Sequence, residues 1–296
     1  MAAQGSSTST DREVTVYGFY GSFCTQKVYL TLAEKGVVAT RRAVNIGPQM
    51  ENYEPWYARL NPNMVIPTLV HGDEVVCDSS RIIRYIDAQF DGPALLPDEP
   101  EARAQVDEWI DRIDRLRIRE LSYSKIEGAL SHLRDRIVMP RRLSELRRHQ
   151  RAAPELHEVY AARIGDVQGW IAAMKTPADL AAMKAELEGV LDDLEASLQD
   201  GDFVVGATYT LADMMATVLF ARMRLMGLSN MERRPRLVAH YQRMRQRPNF
   251  PDEDIAERMD KARLFKAVAP FLLPRLALAS GLLLALGCGL IWFIVG

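Results

Sequence analysis

Met64-Val65-Ile66-Pro67-Thr68-Leu69-Val70-His71, followed by Gly72-Asp73, then Glu74-Val75-Val76-Cys77 and Asp78-Ser79, is the stretch on which the fold turns. Both runs are rich in apolar and β-branched side chains, and the Gly-Asp pair between them is a hairpin signal. Two paired strands are therefore expected, Met64–His71 and Glu74–Cys77. Directly after them, residues 81–90 place Ile82, Ile83 and Ile86 on one face of a helix.

Upstream, Val14-Thr15-Val16-Tyr17-Gly18-Phe19 is a short β-rich run, and Gly21-Ser22 marks a turn. Lys27 to Lys35 carries apolar residues at 28, 30 and 32 and meets Gly36, a good helix stop. Val37 to Asn45 reads as a further strand. The order is β-α-β, a loop with a short helix, then β-β-α. It defines an α/β domain over residues 13–92, with residues 1–12 as a small, polar, disordered lead-in.

Beyond Pro93 and Pro97 helical periodicity takes over, and residues 98–260 form an all-helical domain. Val106, Trp109, Ile110 and Ile113 recur at helical spacing, as do Leu180, Met183, Leu187, Val190, Leu191, Leu194 and Leu198. Leu211 to Leu228 and Pro235 to Arg247 are further helices, with Pro235 in a first-turn position. Between Leu130 and Arg151 seven arginines accumulate, at 134, 136, 141, 142, 147, 148 and 151. Two readings fit that stretch: a solvated helical face, or a contact with anionic lipid headgroups or an acidic partner.

The 296 residues are 48% hydrophobic and 26% charged, enough apolar material for a core. Thirty-seven basic against 39 acidic residues give a net charge of -2, which argues against nucleic acid as a partner. Three cysteines, Cys24, Cys77 and Cys288, exclude a disulfide framework and a paired-cysteine metal site.

The C-terminal 21 residues, Leu276 to Gly296, carry no charge. As a helix they would span roughly 31 Å, the thickness of a bilayer's hydrocarbon core. A transmembrane tail anchor in contact with membrane lipid is expected, flanked by Lys261, Arg263, Lys266 and Arg275, which place the body in the cytosol. There the free cysteines stay reduced. One apolar helix offers no polar lining for a pore.

Asn61-Pro62-Asn63-Met64-Val65-Ile66-Pro67-Thr68-Leu69 resembles the NPxGxVPxL segment of the glutathione transferases, and Asp78-Ser79 resembles the acidic-Ser pair that opens the next helix in that family. Val205-Gly206-Ala207-Thr208-Tyr209-Thr210-Leu211-Ala212-Asp213 resembles the start of the family's central helix. The resemblance covers roughly residues 14–90 and 180–248 and implies a thioredoxin-like N-terminal domain followed by an all-helical one. A narrower resemblance is carried by Ser22 to Val28, Glu54-Pro55-Trp56, Arg59-Leu60-Asn61 and Leu69-Val70-His71-Gly72. These segments look like the ganglioside-induced differentiation-associated proteins, which add a long insertion to the helical domain and a C-terminal membrane anchor. The insertion falls here at about 120–175. The resemblance allows a location in the mitochondrial outer membrane and a homodimer.

What it implies for chemistry is residue-specific. Glutathione is the co-substrate, and its thiol, unperturbed near pKa 8.5, must be held as a thiolate. Ser22, five residues before Lys27 as in serine-type members, is the first catalytic candidate; its plainer role is to cap the helix. Cys24, in the first turn of that helix, is the second, as in cysteine-type members; its plainer role is packing. Tyr17 and Tyr20 are weaker candidates. A cis Ile66–Pro67 bond would turn the Ile66 backbone toward the cysteinyl unit of glutathione. Asp78 suits the γ-glutamyl ammonium and Ser79, with the helix N-terminus, its carboxylate. Thr210-x-x-Asp213 is structural, a capping box.

Two departures stand out. The family's glycine is Met64 here and its basic neighbour is Val65, so the partner of the glycyl carboxylate is missing unless Arg41, Arg42 or His71 replaces it. Two functions follow: transfer or exchange of glutathione on a small electrophile at a membrane face, or a membrane-tethered interaction module that keeps the fold without the chemistry and acts in organelle membrane dynamics.

Overall fold

The computed structural model describes residues 12–255 apart from 48, 126–130, 133 and 253. The lead-in up to residue 11 and the expected anchor at 276–296, with its basic flank, lie outside the described residues. Among the described residues no helix is long and apolar enough to cross a membrane.

The N-terminal domain runs β1 (Val14–Gly18), α1 (Phe23–Glu34), β2 (Thr40–Ala43), α2 (Pro55–Leu60), β3 (Thr68–His71), β4 (Glu74–Cys77) and α3 (Ser79–Gln89). The sheet order is β2-β1-β3-β4, with β1 and β2 parallel and the other pairs antiparallel. Val16 stands beside Leu69, and Leu69 beside Val76, so one face of three strands meets in a single apolar layer. This is the β-α-β, β-β-α order expected from the sequence.

Strand boundaries differ from the sequence reading for physical reasons. The third strand starts at Thr68, not Met64, because residues 64–67 form a turn that holds the cis Ile66–Pro67 bond. The second shrinks to four exposed residues at the sheet edge, where Arg41 and Arg42 discourage further strand pairing. Val38, taken into that strand by its β-propensity, is 94% exposed. The first helix begins four residues before Lys27, at Phe23, because the Ser22 hydroxyl caps it by accepting the Thr25 N–H.

The helical domain comprises α4 (Pro100–Arg115), α5 (Ile118–Ser124), α6 (Met139–Ala152), α7 (His157–Lys175), α8 (Pro177–Ser197), α9 (Leu211–Met226) and α10 (Pro235–Arg245). Helix α9 is buried on nearly every side and packs on α1, α4 and α10. Both signatures of its ends are present: the Thr210–Asp213 capping box, and Gly227 in the left-handed region at φ 58°.

Helices α6 and α7 lie within the stretch where the insertion is expected, and they carry their own core. Met139, Leu146, Tyr160, Val167 and Trp170 pack against Met50, Tyr53, Ala58 and Met64 of the N-terminal domain. The insertion is thus seated on the N-terminal domain beside the loop that precedes Pro67. The arginine stretch divides: residues 136, 147, 148 and 151 are exposed, while Arg134 and Arg142 are buried. A wholly solvated face is therefore not what forms.

Candidate functional site

A cavity of about 440 Å³ opens between the two domains. Its N-terminal wall holds Gly21 to Cys24, Lys27, Ile46, Asn52, Tyr53 and Met64 to Ile66. Its helical wall holds Asp114 to Glu120, Ser122, Tyr123, Arg142, Arg163, Trp170 and Arg222. Ser22, Cys24 and Ile66 are thus brought to one space. Pro67, Asp78 and Ser79 stand outside its lining.

The loop before Pro67 is rigidly held. The Val65 carbonyl accepts from the Tyr57 hydroxyl at 2.8 Å and from Asn61 Nδ2 at 2.8 Å. Met64 takes the glycine-like left-handed conformation, φ 50°, and is kept there by Asn52 Nδ2 on its carbonyl and by its own N–H on Asn61. Those two bonds make a glycine dispensable at a position where a side chain costs about 1 kcal/mol. Burial raises the Tyr57 hydroxyl pKa well above its ordinary value, so it stays a donor.

Asp78 caps the N-terminus of α3. Asp78 Oδ1 accepts the N–H of Ser80 at 3.0 Å and of Arg81 at 3.1 Å, with its own φ at 77°. Both bonds use one oxygen. Ser79 is buried at the first helical position. Lys27 is buried too, and its ammonium pairs with Asp114 of α4, whose other oxygen accepts from the Ser80 hydroxyl. The basic residue whose spacing pointed to Ser22 therefore ties three helices together across the domain boundary.

The substitutes considered for the glycyl anchor are engaged elsewhere. Arg41 pairs with Asp254 and stacks on Tyr29; Arg42 lies over the Tyr17 ring; His71 meets the Tyr85 hydroxyl at 3.0 Å. None of the three lines the cavity, and neither do Tyr17 and Tyr20.

Sequence reasoning missed two buried arginines. Arg222 of α9 donates to the Gly21 carbonyl at 2.5 Å, under the N-terminus of α1. Burial pushes its pKa down to about 10, while the neighbouring Cys24 sulfur acts in the opposite direction. Arg142 of α6 donates to the Ile46 carbonyl at 3.0 Å and to the hydroxyls of Tyr53 and Tyr123 at 3.2 and 3.3 Å. Burial opposes its charge, but those two hydroxyls outweigh it and its pKa rises. Burial likewise opposes ionisation of Tyr53, yet Arg142 and Arg163 hold its pKa below the usual value. A signal was present: Arg142 shares a helical face with Met139, Leu146 and His149, and Arg222 interrupts an otherwise apolar helix.

The glutathione S-transferase N-terminal domain family matches residues 16–94 and the corresponding C-terminal domain family matches residues 169–243. The chain belongs to the glutathione S-transferase family. Among its relatives, the tetrachloro-p-hydroquinone reductive dehalogenase of Sphingobium chlorophenolicum is 32% identical over 239 residues, 80% of this chain and 94% of that one. The human ganglioside-induced differentiation-associated protein 1-like 1 is 28% identical over 270 residues, 80% of this chain and 72% of that one. A theta class glutathione S-transferase from Xanthomonas axonopodis pv. citri, solved with glutathione bound, is 25% identical with a TM-score of 0.57, covering 80% of this chain and 95% of the other. The stretch between the two family matches, residues 95–168, contains α4, α5 and α6 and the first part of α7.

Proposed function

We propose that this transferase joins the sulfur of glutathione to an electrophilic small molecule at the face of a membrane, held there by residues 276–296, with its body in the cytosol. The observation that carries the reading is the meeting of Ser22, Cys24 and the Ile66 backbone in one cavity closed by the helical domain.

The side chains divide the work by position. The Ser22 oxygen accepts the Thr25 N–H, which leaves its own O–H to donate to a thiolate. The N-terminus of α1 and the buried Arg222 guanidinium add positive potential at the same place. The Ile66 backbone takes the cysteinyl unit. Asp78 takes the γ-glutamyl ammonium through Oδ2, and Ser79 with the first amides of α3 takes the carboxylate. In the transfer step a carbon–sulfur bond forms, the bond from that carbon to its leaving group breaks, and the electron pair departs with the leaving group.

Cys24 supports a second reading, glutathione exchange, because its sulfur neighbours Arg222 and the relative named above is a reductive dehalogenase. There the Cys24 thiolate attacks a glutathione disulfide, one S–S bond replaces another, and glutathione thiolate leaves.

Ultraviolet titration of bound thiolate, with rates on a model electrophile, separates the two. For transfer, Ser22→Ala raises the pKa of bound glutathione and slows turnover tenfold or more, as loss of a charge-assisted hydrogen bond does, while Cys24→Ser is nearly silent. The reverse pattern, with glutathione covalently held at Cys24, assigns exchange. No thiolate signal in any form overturns both and leaves a membrane-tethered interaction module.

A further inference from the structure

We propose that the helical wall of the cavity binds the second substrate through an anionic group, so that the electrophile is a small aromatic acid bearing a carboxylate or phenolate. The proposal rests on the transferase reading for the word electrophile; the preference for an anion stands on the wall itself.

The first observation is an inventory of hydrogen bonds. Ser122 Oγ, Trp170 Nε1 and the Nε atoms of Arg119, Arg142 and Arg163 are buried and meet no acceptor among the described residues. All five line the cavity, and all five can donate. Ser122, Trp170 and Arg142 are only 1, 4 and 7% exposed, so water does not readily reach them. A buried donor left without an acceptor costs about 1–3 kcal/mol. The lining atom in the same condition that can only accept is Asn52 Oδ1. The wall is therefore complementary to a ligand rich in acceptors and poor in donors.

Charge points the same way. Seven lining side chains are Lys or Arg and two are Asp or Glu, and Arg163 is paired with Asp166 just outside the lining, which leaves an excess of four positive charges. Glutathione itself brings at most its thiolate and its glycyl carboxylate into this space, since Asp78 and Ser79 stand outside the lining. An excess of two remains for the other substrate. Water-poor surroundings magnify that excess, because Coulomb energies grow as the effective dielectric falls.

Shape narrows the class. Tyr123 and Trp170 lie with ring centroids 5.5 Å apart, and Arg119 stands 4.8 Å over the Trp170 ring. With Tyr53 and Phe23 across the cavity, these faces fit a planar ring. The 440 Å³ volume holds a one-ring molecule beside a bound thiol.

The test is calorimetry on the full chain in non-ionic detergent, using 3,5-dichlorobenzoate and its neutral isostere 3,5-dichlorobenzamide, each with and without saturating S-methylglutathione. The benzoate is expected to bind at least tenfold more tightly than the amide, and to do so with S-methylglutathione in place. Trp170→Phe and Arg163→Gln should each weaken the benzoate threefold or more and leave the amide unchanged. Equal affinities, no binding of either probe, or no change in both variants overturns the proposal. So does displacement of the benzoate by S-methylglutathione, which would give the cationic wall to the glycyl carboxylate. If the benzoate binds and S-methylglutathione does not, the transferase reading falls while the anion preference stands; the wild-type comparison of the two probes decides even where a variant fails to fold.

Discussion

Asp213 lies wholly buried at the start of α9, and its carboxylate accepts four hydrogen bonds. Oδ1 takes the Val204 N–H at 2.8 Å and His240 Nε2 at 2.9 Å; Oδ2 takes the Thr210 N–H at 2.9 Å and its hydroxyl at 3.2 Å. Asp213→Ala would strand two buried backbone N–H groups and one imidazole N–H. At roughly 1–3 kcal/mol each, less the desolvation of a carboxylate no longer buried, a loss of about 3–5 kcal/mol is expected. Thr210→Ala removes one cap acceptor, for Ala212 N–H, and should cost about 1 kcal/mol. A domain of ordinary stability, about 5–15 kcal/mol, survives the second change easily and the first barely. Urea unfolding followed by tryptophan fluorescence measures both midpoints, with an unchanged slope showing that stability alone has moved. Equal losses near 1 kcal/mol in the two variants would refute the four-bond account of this helix start.

Ser79→Ala should weaken glutathione about tenfold by calorimetry, the size of one charge-assisted hydrogen bond, whereas Thr210→Ala leaves affinity unchanged; equal losses would undo the assignment of Ser79. Deleting residues 276–296 should move the chain from the membrane pellet to the supernatant with its unfolding midpoint intact, and persistence in the pellet at high salt would show that this segment is not the anchor. Burial, aided by Arg148, lowers the pKa of His149 below 6.5. The unfolded chain then binds the proton first as pH falls through that value, so stability declines on acidification there and rises again with pH. His149→Gln should flatten that slope, and an unchanged slope would place the titrating group elsewhere.

The parts of this molecule legible in its sequence are those set by local rules. The Gly72-Asp73 turn, the β4 boundaries, the Thr210–Asp213 capping box and the run of α9 all follow from neighbours within a few residues. Helix α1 starts at Phe23, before its apolar repeat at 28, 30 and 32 begins, because the Ser22 oxygen caps it there. Met64 shows a different limit. Its left-handed backbone is imposed by Asn52 and Asn61, and nothing in the residue itself announces it. Lys27 is the sharpest case: its spacing to Ser22 was visible, but its burial against Asp114, 87 positions away, was not.

The same distinction explains why the second substrate's wall escaped the sequence. The residues proposed to hold glutathione cluster within residues 22–79, where a motif can be read in one pass. The opposite wall is assembled from α4, α5, α6, α7 and α9, whose polar lining side chains lie far apart in the sequence, from Asp114 to Arg222. A lone Arg142 between Met139 and Leu146 looks like noise in a basic stripe until α6 is laid against Tyr53 and Ile46. The insertion's apolar face supplies the seating energy, at about 25 cal/mol per Å² of apolar surface covered, and the arginine is carried in with it. Burying a guanidinium is tolerated there because the Tyr53 and Tyr123 hydroxyls and the Ile46 carbonyl accept from it, and because the cavity leaves its remaining N–H to an anion. The insertion therefore both seats on the N-terminal domain and, in the proposed reading, helps set which electrophiles the cavity receives.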